Sequence, residues 1–525
     1  MKKLNLLCIG LLSMSAVYAQ DISDAVRYSQ SEIQGTARYR ALSGAFGALG
    51  GDMSAVSANP AGSAVFSRSH ASFSGSNIAT NNNTSYFNAL SNSKTSTFDI
   101  NQGGAAFVFA NSNTNTPWRK FTLGFAYERT NNYDNNWGFR NGINTNNIVN
   151  VDDENRELSP VNSIANYFFQ YSEDPTTPVA VGDILLNGRS ESQAYEDVLN
   201  QFSFIHQQVF LGFQSGILGE DPLSSDFETD DNTLYVSEAA GGNFTHSYDY
   251  LETGYNGKIS FNFAAQYEDN LYFGLNLNSH FIDYQRSVTL SETNSNGGLI
   301  NAIDFDNTLS TVGNGFSFQL GGIAKLSPEF RIGATYDSPT WYSIDDETTQ
   351  FLDTNVLVDE NASELGVNSL NVFPRYRLKT PSKITGSLAY VFNKKGLISF
   401  DYSRKNFGNT EFTNDDNYNE VNNAMSEILT NASTYRLGAE YKVSRVSFRG
   451  GYRFEESPYT DGETIGDLSG FSLGLGYSFG NTKLDLTYDK WQRTDASPLY
   501  NIGLIDTASV ERQNSNITLS LSFNI

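Results

Sequence analysis

Residues 35–66 read GTARYRALSGAFGALGGDMSAVSANPAGSAVF. This stretch is rich in Ala, Gly and Ser, and it lacks the alternation of apolar and polar residues that marks a β-strand. Asp52 precedes a short apolar run as a helix N-cap, and Asn59 precedes Pro60 in the order of an N-cap followed by proline at the first helical position. Because small residues let two backbones approach closely, the stretch predicts a compact coil with short helices, packed against a larger structure.

After residue 68 the chain repeats short segments in which apolar residues alternate with small or polar ones. Phe121, Leu123 and Phe125, for example, are separated by Thr122 and Gly124. An apolar outward face and a polar inward face are the pattern of a transmembrane β-barrel. Fourteen strands are predicted, near residues 69–79, 96–110, 119–130, 255–267, 271–287, 314–326, 330–338, 377–392, 397–404, 434–443, 446–455, 470–479, 482–490 and 514–525.

A water-soluble β-sandwich has the same period, so the connections between the segments decide between the two folds. The connections at 268–270, 327–329 and 480–481 are tight, whereas the alternate ones run to about 15, 35 or over 100 residues. Outer-membrane barrels combine short periplasmic turns with long outer loops in this way. We therefore predict an all-β fold, a 14-stranded antiparallel transmembrane β-barrel over residues 69–525, with six turns, seven outer loops and one very long outer loop at about 131–254.

The lumen of such a barrel needs a plug. About eight strands already enclose an interior that side chains just fill, so fourteen strands leave a space that the wall cannot occupy. Residues 20–68, which include the small-residue stretch, are predicted to form an N-terminal hatch inside the lumen.

The first 19 residues have the pattern of a secretory signal peptide. Lys2 and Lys3 precede an apolar run that extends to Val17, and Ala19 ends a small-residue cleavage site. Cys8 lies within that run, so the mature chain has no cysteine and we expect neither disulfides nor thiolate metal sites.

The composition excludes several function classes. Loss of the two signal-peptide lysines changes the formal charge from −24 to −26, which argues against nucleic acid or anionic lipid as a partner. After residue 19 no apolar run reaches the roughly 18 residues of a membrane helix, so a membrane protein of this composition has to span as a barrel. The chain ends on an alternating strand from Ile517 to Ile525, which looks like the strand that barrel-assembly machinery recognises.

The region from Gln34 to Ser63, with Ala58-Asn59-Pro60-Ala61-Gly62 at its centre, resembles the N-terminal hatch of the FadL/TodX family. This family comprises outer-membrane transporters of hydrophobic compounds, and some of its members are described as hemin receptors. The motif-level similarity covers roughly residues 27–66. The resemblance implies that Asn59, Pro60, Ala61 and Gly62 are structural members of a gate, and that cargo leaves sideways through a gap in the barrel wall.

The long outer loop carries a second candidate site. Apolar residues recur at helical spacing between Leu199 and Leu218, which predicts one amphipathic helix there. Its apolar face has two interpretations: a small core under the loop, or an external groove that first captures ligand. The candidate ligand-binding residues are Phe202, Ile205, Val209, Phe210 and Phe213.

The sequence offers few candidate residues for catalysis or metal binding. None of the four histidines, at 70, 206, 246 and 280, has a partner at metal-ligand spacing, and no catalytic or phosphate-binding motif is present. We predict no enzymatic activity, no metal site and no cofactor. His206 could serve as an axial haem ligand, but a structural role is the simpler expectation. Acidic clusters at 152–154, 230–231, 345–347 and 415–416 are expected to be solvated surface, with cation bridging to lipopolysaccharide as the alternative.

The sequence thus predicts passive uptake of small hydrophobic molecules, such as long-chain fatty acids or aromatic hydrocarbons, across the outer membrane. The alternative is a non-transporting outer-membrane barrel that acts as a surface adhesin or as a secretion-system scaffold. We expect a monomer surrounded by outer-membrane lipid and lipopolysaccharide, assembled by the barrel-assembly machinery, and binding a hydrophobic small molecule but no nucleic acid.

Overall fold

The computed structural model describes residues 21–525 except 114, 153–154, 175–176, 222–232, 356–363, 366–369, 394 and 415–417. The predicted signal peptide lies outside these residues. So do the acidic clusters at 230–231 and 415–416 and two residues of the cluster at 152–154. Within the described part of the chain, no helix is long and apolar enough to cross a membrane.

Fourteen antiparallel strands form a closed wall, as predicted. The last strand pairs with the first from His70 opposite Asn524 to Ser85 opposite Ser509, so the sheet closes on itself. The wall strands are β1 His70–Tyr86, β2 Ala89–Ala110, β3 Trp118–Asn132, β4 Phe244–Tyr267, β5 Leu271–Asn294, β6 Ala302–Lys325, β7 Phe330–Asp337, β8 Lys383–Phe392, β9 Gly396–Asn406, β10 Asn431–Val443, β11 Val446–Glu455, β12 Leu468–Ser478, β13 Thr482–Pro498 and β14 Thr507–Asn524.

The membrane-facing side of the wall carries the predicted apolar residues. Phe121, Leu123 and Phe125 are 45–49% exposed in the protein alone, whereas Thr122 between them is buried. The short connections are also where the sequence placed them, and Glu268, Asn393 and Ser444 adopt the positive φ that a tight turn requires.

One predicted outer loop is wrong. Residues 80–95 were expected to connect the first two strands, but β1 and β2 continue through this range and meet at the two-residue turn formed by Phe87 and Asn88. These upper parts are rich in Asn, Ser and Thr on both faces, because the hairpin has risen out of the apolar band. Alternation of apolar and polar residues therefore could not reveal it.

The long outer loops contain their own secondary structure. Helices occur at α4 Ala165–Ser172, α5 Glu191–Gln201, α6 Phe204–Gln214 and α7 Asn419–Ile428, with 3₁₀ turns at Val181–Ile184 and Phe407–Asn409. Additional strands lie at Asn135–Asn144, Val149–Val151, Glu157–Pro160, Leu218–Glu220, Tyr235–Ser237, Trp341–Thr354, Glu364–Leu365, Asn371–Val372, Tyr376–Lys379 and Glu411–Phe412.

The single helix expected between 199 and 218 is two helices. The chain leaves α5 at Phe202, and Ser203 begins α6 by accepting a hydrogen bond from the backbone N–H of His206. A serine that competes for backbone donors favours such a helix start over a continuous helix. The apolar period survived the break because both helices pack on the same core.

Candidate functional site

The N-terminal segment lies in the lumen as four short helical pieces. They are α1 Ile22–Ser29, α2 Ala37–Ala41, α3 Met53–Ala58 and a 3₁₀ helix at Pro60–Val65. Both predicted caps are present, since the Asp52 carboxylate accepts from Ser54 N and the Asn59 Oδ1 accepts from Ala61 N. Pro60 occupies the first helical position, where its missing N–H costs nothing.

Asn59 joins the two halves of the hatch to the wall. Its side chain is fully buried, and its Nδ2 donates to the carbonyl oxygens of Gly47 at 2.8 Å and of Gly322, on β6, at 3.1 Å. The same amide thus caps a hatch helix, closes the hatch loop and docks it on the barrel. Its loss would leave several buried polar groups unpaired, which is costlier than the loss of one surface bond.

Glycines on the inward face of the wall receive the hatch. A Cβ added at Gly274 would lie 2.2 Å from the carbonyl carbon of Pro60, and one at Gly321 would lie 2.0 Å from the Asn59 Oδ1. No side chain fits at either position. Four more inward glycines meet the hatch backbone or Ala41 in the same way: Gly333, Gly438, Gly451 and Gly474. These glycines were not predicted as contact residues, although glycine at inward positions of a strand is a signal of close backbone approach.

Charged groups hold α2 of the hatch to the opposite wall. Arg38 pairs with Glu440 on β10 at 2.9 Å, and Arg40 pairs with Asp489 on β13 at 2.9 Å. Arg449 bridges Glu440 and Asp485 at 2.6 Å each. Since these groups are largely buried, removing one partner would strand a charge, at a cost of about 3–5 kcal/mol.

A cavity of about 1770 Å³ lies between the hatch and the outer loops. It exceeds the roughly 300–1,000 Å³ of ordinary small-molecule pockets. Its floor includes α1, where Tyr28 packs edge-on against Tyr284 at a centroid distance of 6.2 Å. Large aromatic side chains line it: Tyr133, Trp137, Tyr167, Tyr171, Phe204, Tyr248, Tyr250, Tyr342, Trp491 and Tyr500.

The cavity also has charged parts. Among the described residues, the charged groups that the outer loops contribute are all acidic, namely Glu420, Glu427, Glu456, Asp461 and Glu463. Basic groups lie deeper, on the wall and the hatch, and several are ion-paired, as Lys258 is with Glu128 at 3.3 Å. Arg27 is ion-paired with Asp24 and also lies over the ring of Tyr284, 4.5 Å from its centroid, in a cation–π contact.

The five predicted ligand-binding residues do not line this cavity. Ile205, Val209 and Phe210 are fully buried in the core of the outer loop, so the packing interpretation describes them in this conformation. Phe213 is partly buried and meets Tyr235 edge-on. Phe202 is 44% exposed, and its contact with ligand stays a prediction. Phe204, at the start of α6, lines the cavity and was not singled out by the sequence analysis.

His206 belongs to the loop core rather than to an open site. Its ring stacks on Phe202 at 4.8 Å and its Nδ1 lies 3.0 Å from the Ser203 hydroxyl. Burial lowers the pKa of His206, so the imidazole is neutral at pH 7. No group of three or more potential metal ligands occurs among the residues that the structure describes.

The wall has a seam between β2 and β3. These strands pair only from Gln102 to Ala110 on β2, opposite 120–128 on β3. Above that point, residues 89–100 of β2 pair with β1, residues 129 and 131–132 of β3 pair with β4, and the two segments share no backbone pairing. An extra residue interrupts the ladder at each side of the seam, Asn101 on β2 and Thr130 on β3. Such bulges end pairing locally.

The hatch covers this seam. Glu32 N donates to the carbonyl oxygen of Thr130 at 2.9 Å, and the Asn101 Nδ2 donates to the carbonyl oxygen of Gly35 at 2.7 Å. Arg129 and Asp99 form an ion pair across the seam. Hatch residues 30–32 and residues 130–133 at the upper end of β3 also line the cavity, so the cavity reaches the β3 side of the seam.

Comparisons with known proteins agree with this architecture. The model of the outer membrane protein transport protein family (OMPP1/FadL/TodX) matches residues 232–523, and the model of an uncharacterised protein family matches residues 12–83. No curated protein sequence matches.

The fold is similar to two crystal structures, one of a Pseudomonas aeruginosa FadL homologue and one of the P. putida toluene transporter TodX. The first has 10% identity and a TM-score of 0.52, and the second has 12% identity and a TM-score of 0.50. Each comparison covers 94% of this chain and 99% of the other. With a family match over more than half of its length, the chain belongs to the OMPP1/FadL/TodX family of outer-membrane transport proteins.

Proposed function

We propose that the protein lets small hydrophobic molecules cross the outer membrane passively, and that they leave sideways through the seam between β2 and β3. The observation that carries this proposal is the position of the cavity, which reaches hatch residues 30–32 directly behind the seam. The similar folds of a FadL homologue and a toluene transporter support a hydrophobic cargo.

A sideways exit suits an apolar cargo. Release through the bottom of the barrel would require the whole hatch to leave its glycine contacts and buried ion pairs. It would also deliver an apolar molecule into water, against the hydrophobic effect. Release through the seam needs residues 30–35 to move and the Arg129–Asp99 ion pair to separate, and it delivers the molecule into lipid. The same residues therefore act as the floor of the cavity and as the closure of the seam.

The four predicted gate residues have a fixed role in this proposal. All four lie against β5 and β6, away from the seam: Asn59, Pro60, Ala61 and Gly62. A Cβ added at Gly62 would lie 3.2 Å from the Cβ of Ala55, so this part of the hatch is closely packed. They hold the hatch in place while residues 30–35 move.

A reversible crosslink across the seam tests the proposal. We would replace Asp99 and Arg129 by cysteine, which is possible because the only cysteine of the sequence, Cys8, lies in the predicted signal peptide. In proteoliposomes, a reductant-sensitive bifunctional thiol reagent should stop uptake of radiolabelled toluene and oleate, and reductant should restore it.

The matched control is Ala105→Cys with Phe125→Cys, which lie opposite each other in the paired part of the same two strands. Crosslinking there should leave uptake unchanged. Unaltered uptake after crosslinking of 99 to 129 would exclude the seam as the exit. Absence of uptake by the untreated protein for every probe would favour a non-transporting barrel.

A further inference from the structure

A second surface lies on the outside of the barrel, on the four adjacent strands β13, β14, β1 and β2. Their outward side chains can be followed in rows through the pairing register. The row at the top of the continuous apolar band contains Tyr488, Ile517, Asn77 and Phe98, and Leu90 lies outward farther up, near the hairpin turn. The next row contains Lys490, Ser515, Ala79 and Ser96, and the row above it contains Gln492, Gln513, Asn81 and Lys94.

The change from apolar to polar side chains fixes the height of this surface. Below it, β14 presents Ile517, Leu519, Leu521 and Phe523 outward, each at least 37% exposed in the protein alone. With Ile525 below them, the run extends over about 27 Å of a strand tilted by about 40°, or about 20 Å of height, which covers most of the roughly 25 Å apolar band of an outer-membrane barrel. The two lysine-bearing rows therefore lie at the headgroup layer of the outer leaflet, just above the hydrocarbon.

The side chains of this surface suit the binding of an anion and of sugar hydroxyls. Lys94 and Lys490 take part in none of the ion pairs found among the described residues. The Cα atoms of Lys94 and Lys490 are about 16 Å apart, a distance that follows from three spacings between neighbouring strands and an offset of two residues along the strand direction. Carboxamides fill the space between them. Asn92 donates to Asn81 at 2.9 Å and to Asn83 at 2.7 Å, so this part of the sheet is held as one layer.

The surface differs in charge from its surroundings. The outer loops at 407–430 and 456–467 contain nine Asp and Glu residues and no Lys or Arg. The four-strand face has one carboxylate, Glu511, which accepts hydrogen bonds from Asn83 at 3.1 Å and from Gln513 at 3.0 Å and also interacts electrostatically with Lys490. The net charge of the chain argued against an anionic lipid, but this charge lies in the loops and does not describe the face.

We propose that this face binds a phosphorylated glycolipid of the outer leaflet. Lys94 and Lys490 would each contact one of two phosphates at the ends of a lipid A disaccharide, and Gln492, Gln513 and Asn81 would meet sugar hydroxyls between them. Long lysine side chains suit phosphates as mobile point charges, and carboxamides both donate and accept, as sugar hydroxyls require.

The test is native mass spectrometry of the full chain in detergent, titrated with diphosphoryl lipid A. The variant is Lys94→Gln with Lys490→Gln, and the control is Lys395→Gln, an exposed lysine in a periplasmic turn. Two lysine contacts near a lipid surface predict about 30-fold weaker binding for the double variant, with no change for the control. Heat-modifiable gel mobility verifies that each barrel has assembled.

The wild-type protein gives an independent readout. Dephosphorylated lipid A should bind the wild type as weakly as diphosphoryl lipid A binds the double variant. Equal binding of the phosphorylated and dephosphorylated lipids would overturn the proposal. So would equal binding of phosphatidylglycerol, because the face would then be a general anion surface, or unchanged lipid A binding by the double variant.

Discussion

Replacing Asn59 by alanine should undock the hatch without harming the barrel. The substitution removes the cap on the 3₁₀ helix, worth about 0.5–2 kcal/mol. It also removes the donors for the carbonyl oxygens of Gly47 and Gly322, each worth about 1 kcal/mol in a buried setting. Together these losses amount to about 2–4 kcal/mol, which raises the undocked population about 30- to 1,000-fold. The wall keeps its own ladder of hydrogen bonds, so its stability should not change.

Hydrogen exchange of the assembled protein in detergent measures this effect directly. The amides of residues 47–62 should exchange faster in Asn59→Ala, while those of β5 and β6 keep their protection. Asn406→Ala is the matched control, because the Asn406 side chain, at the end of β9, caps a 3₁₀ helix by accepting from the backbone N–H two residues on, as Asn59 does. That variant should leave the hatch amides unaffected. Equal hatch protection in Asn59→Ala and in the unaltered protein would refute the role given to this side chain.

Three further outcomes are expected. Gly274→Ala should shift the hatch and raise single-channel conductance to small ions, because the added Cβ would lie 2.2 Å from the backbone of Pro60. The control Gly386→Ala should have no effect, since a Cβ added there has no atom within 4 Å. Below pH about 6.5 the α6 region should become more sensitive to protease. Burial lowers the pKa of His206 in the folded loop, so the unfolded segment binds a proton more readily and acid favours local unfolding. His206→Gln should weaken this pH dependence, and an unchanged profile would contradict it. Arg129→Gln should leave Asp99 without its ion pair and increase uptake of labelled toluene without increasing conductance; a rise in both would show that the hatch, and not the seam, had opened.

The sequence predicted the wall because the membrane imposes a rule on each strand. Phe121, Leu123 and Phe125 must face lipid while the residues between them face the lumen. Apolar and polar residues therefore alternate along the strand, and this alternation is visible in the sequence. Above the membrane the rule disappears. The upper halves of β1 and β2 are strands held by pairing alone, and no pattern distinguished them from a loop. The break between α5 and α6 was hidden for a related reason, since both helices bury the same face.

The candidate site was predicted less completely. The cap at Asn59 has a local sequence signature, whereas its bonds to Gly47 and Gly322 depend on how the hatch meets the wall. The seam depends on two bulged residues, Asn101 and Thr130, which differ in no visible way from other polar residues of their strands. The inward glycines were within reach of the sequence, because glycine rarely occupies a strand interior without a close backbone neighbour.

The chemistry of the hatch contacts explains how one segment can be both fixed and movable. Wall side chains donate mainly to backbone oxygens of the hatch: Asn262 to Pro60 at 2.9 Å, Asn276 to Val56 at 2.8 Å and Gln319 to Ser57 at 2.9 Å. Every residue offers such oxygens, so this part of the hatch needs small side chains more than particular ones, which accounts for its Ala, Gly and Ser. Residues 30–35 are held to the wall by other bonds: Glu32 N donates to the Thr130 carbonyl oxygen at 2.9 Å, the Glu32 carboxylate accepts from Asn132 N at 3.3 Å, and the Asn101 Nδ2 donates to the Gly35 carbonyl oxygen at 2.7 Å. In the proposed path a ligand in the cavity contacts residues 30–32, which would have to move before the seam can open.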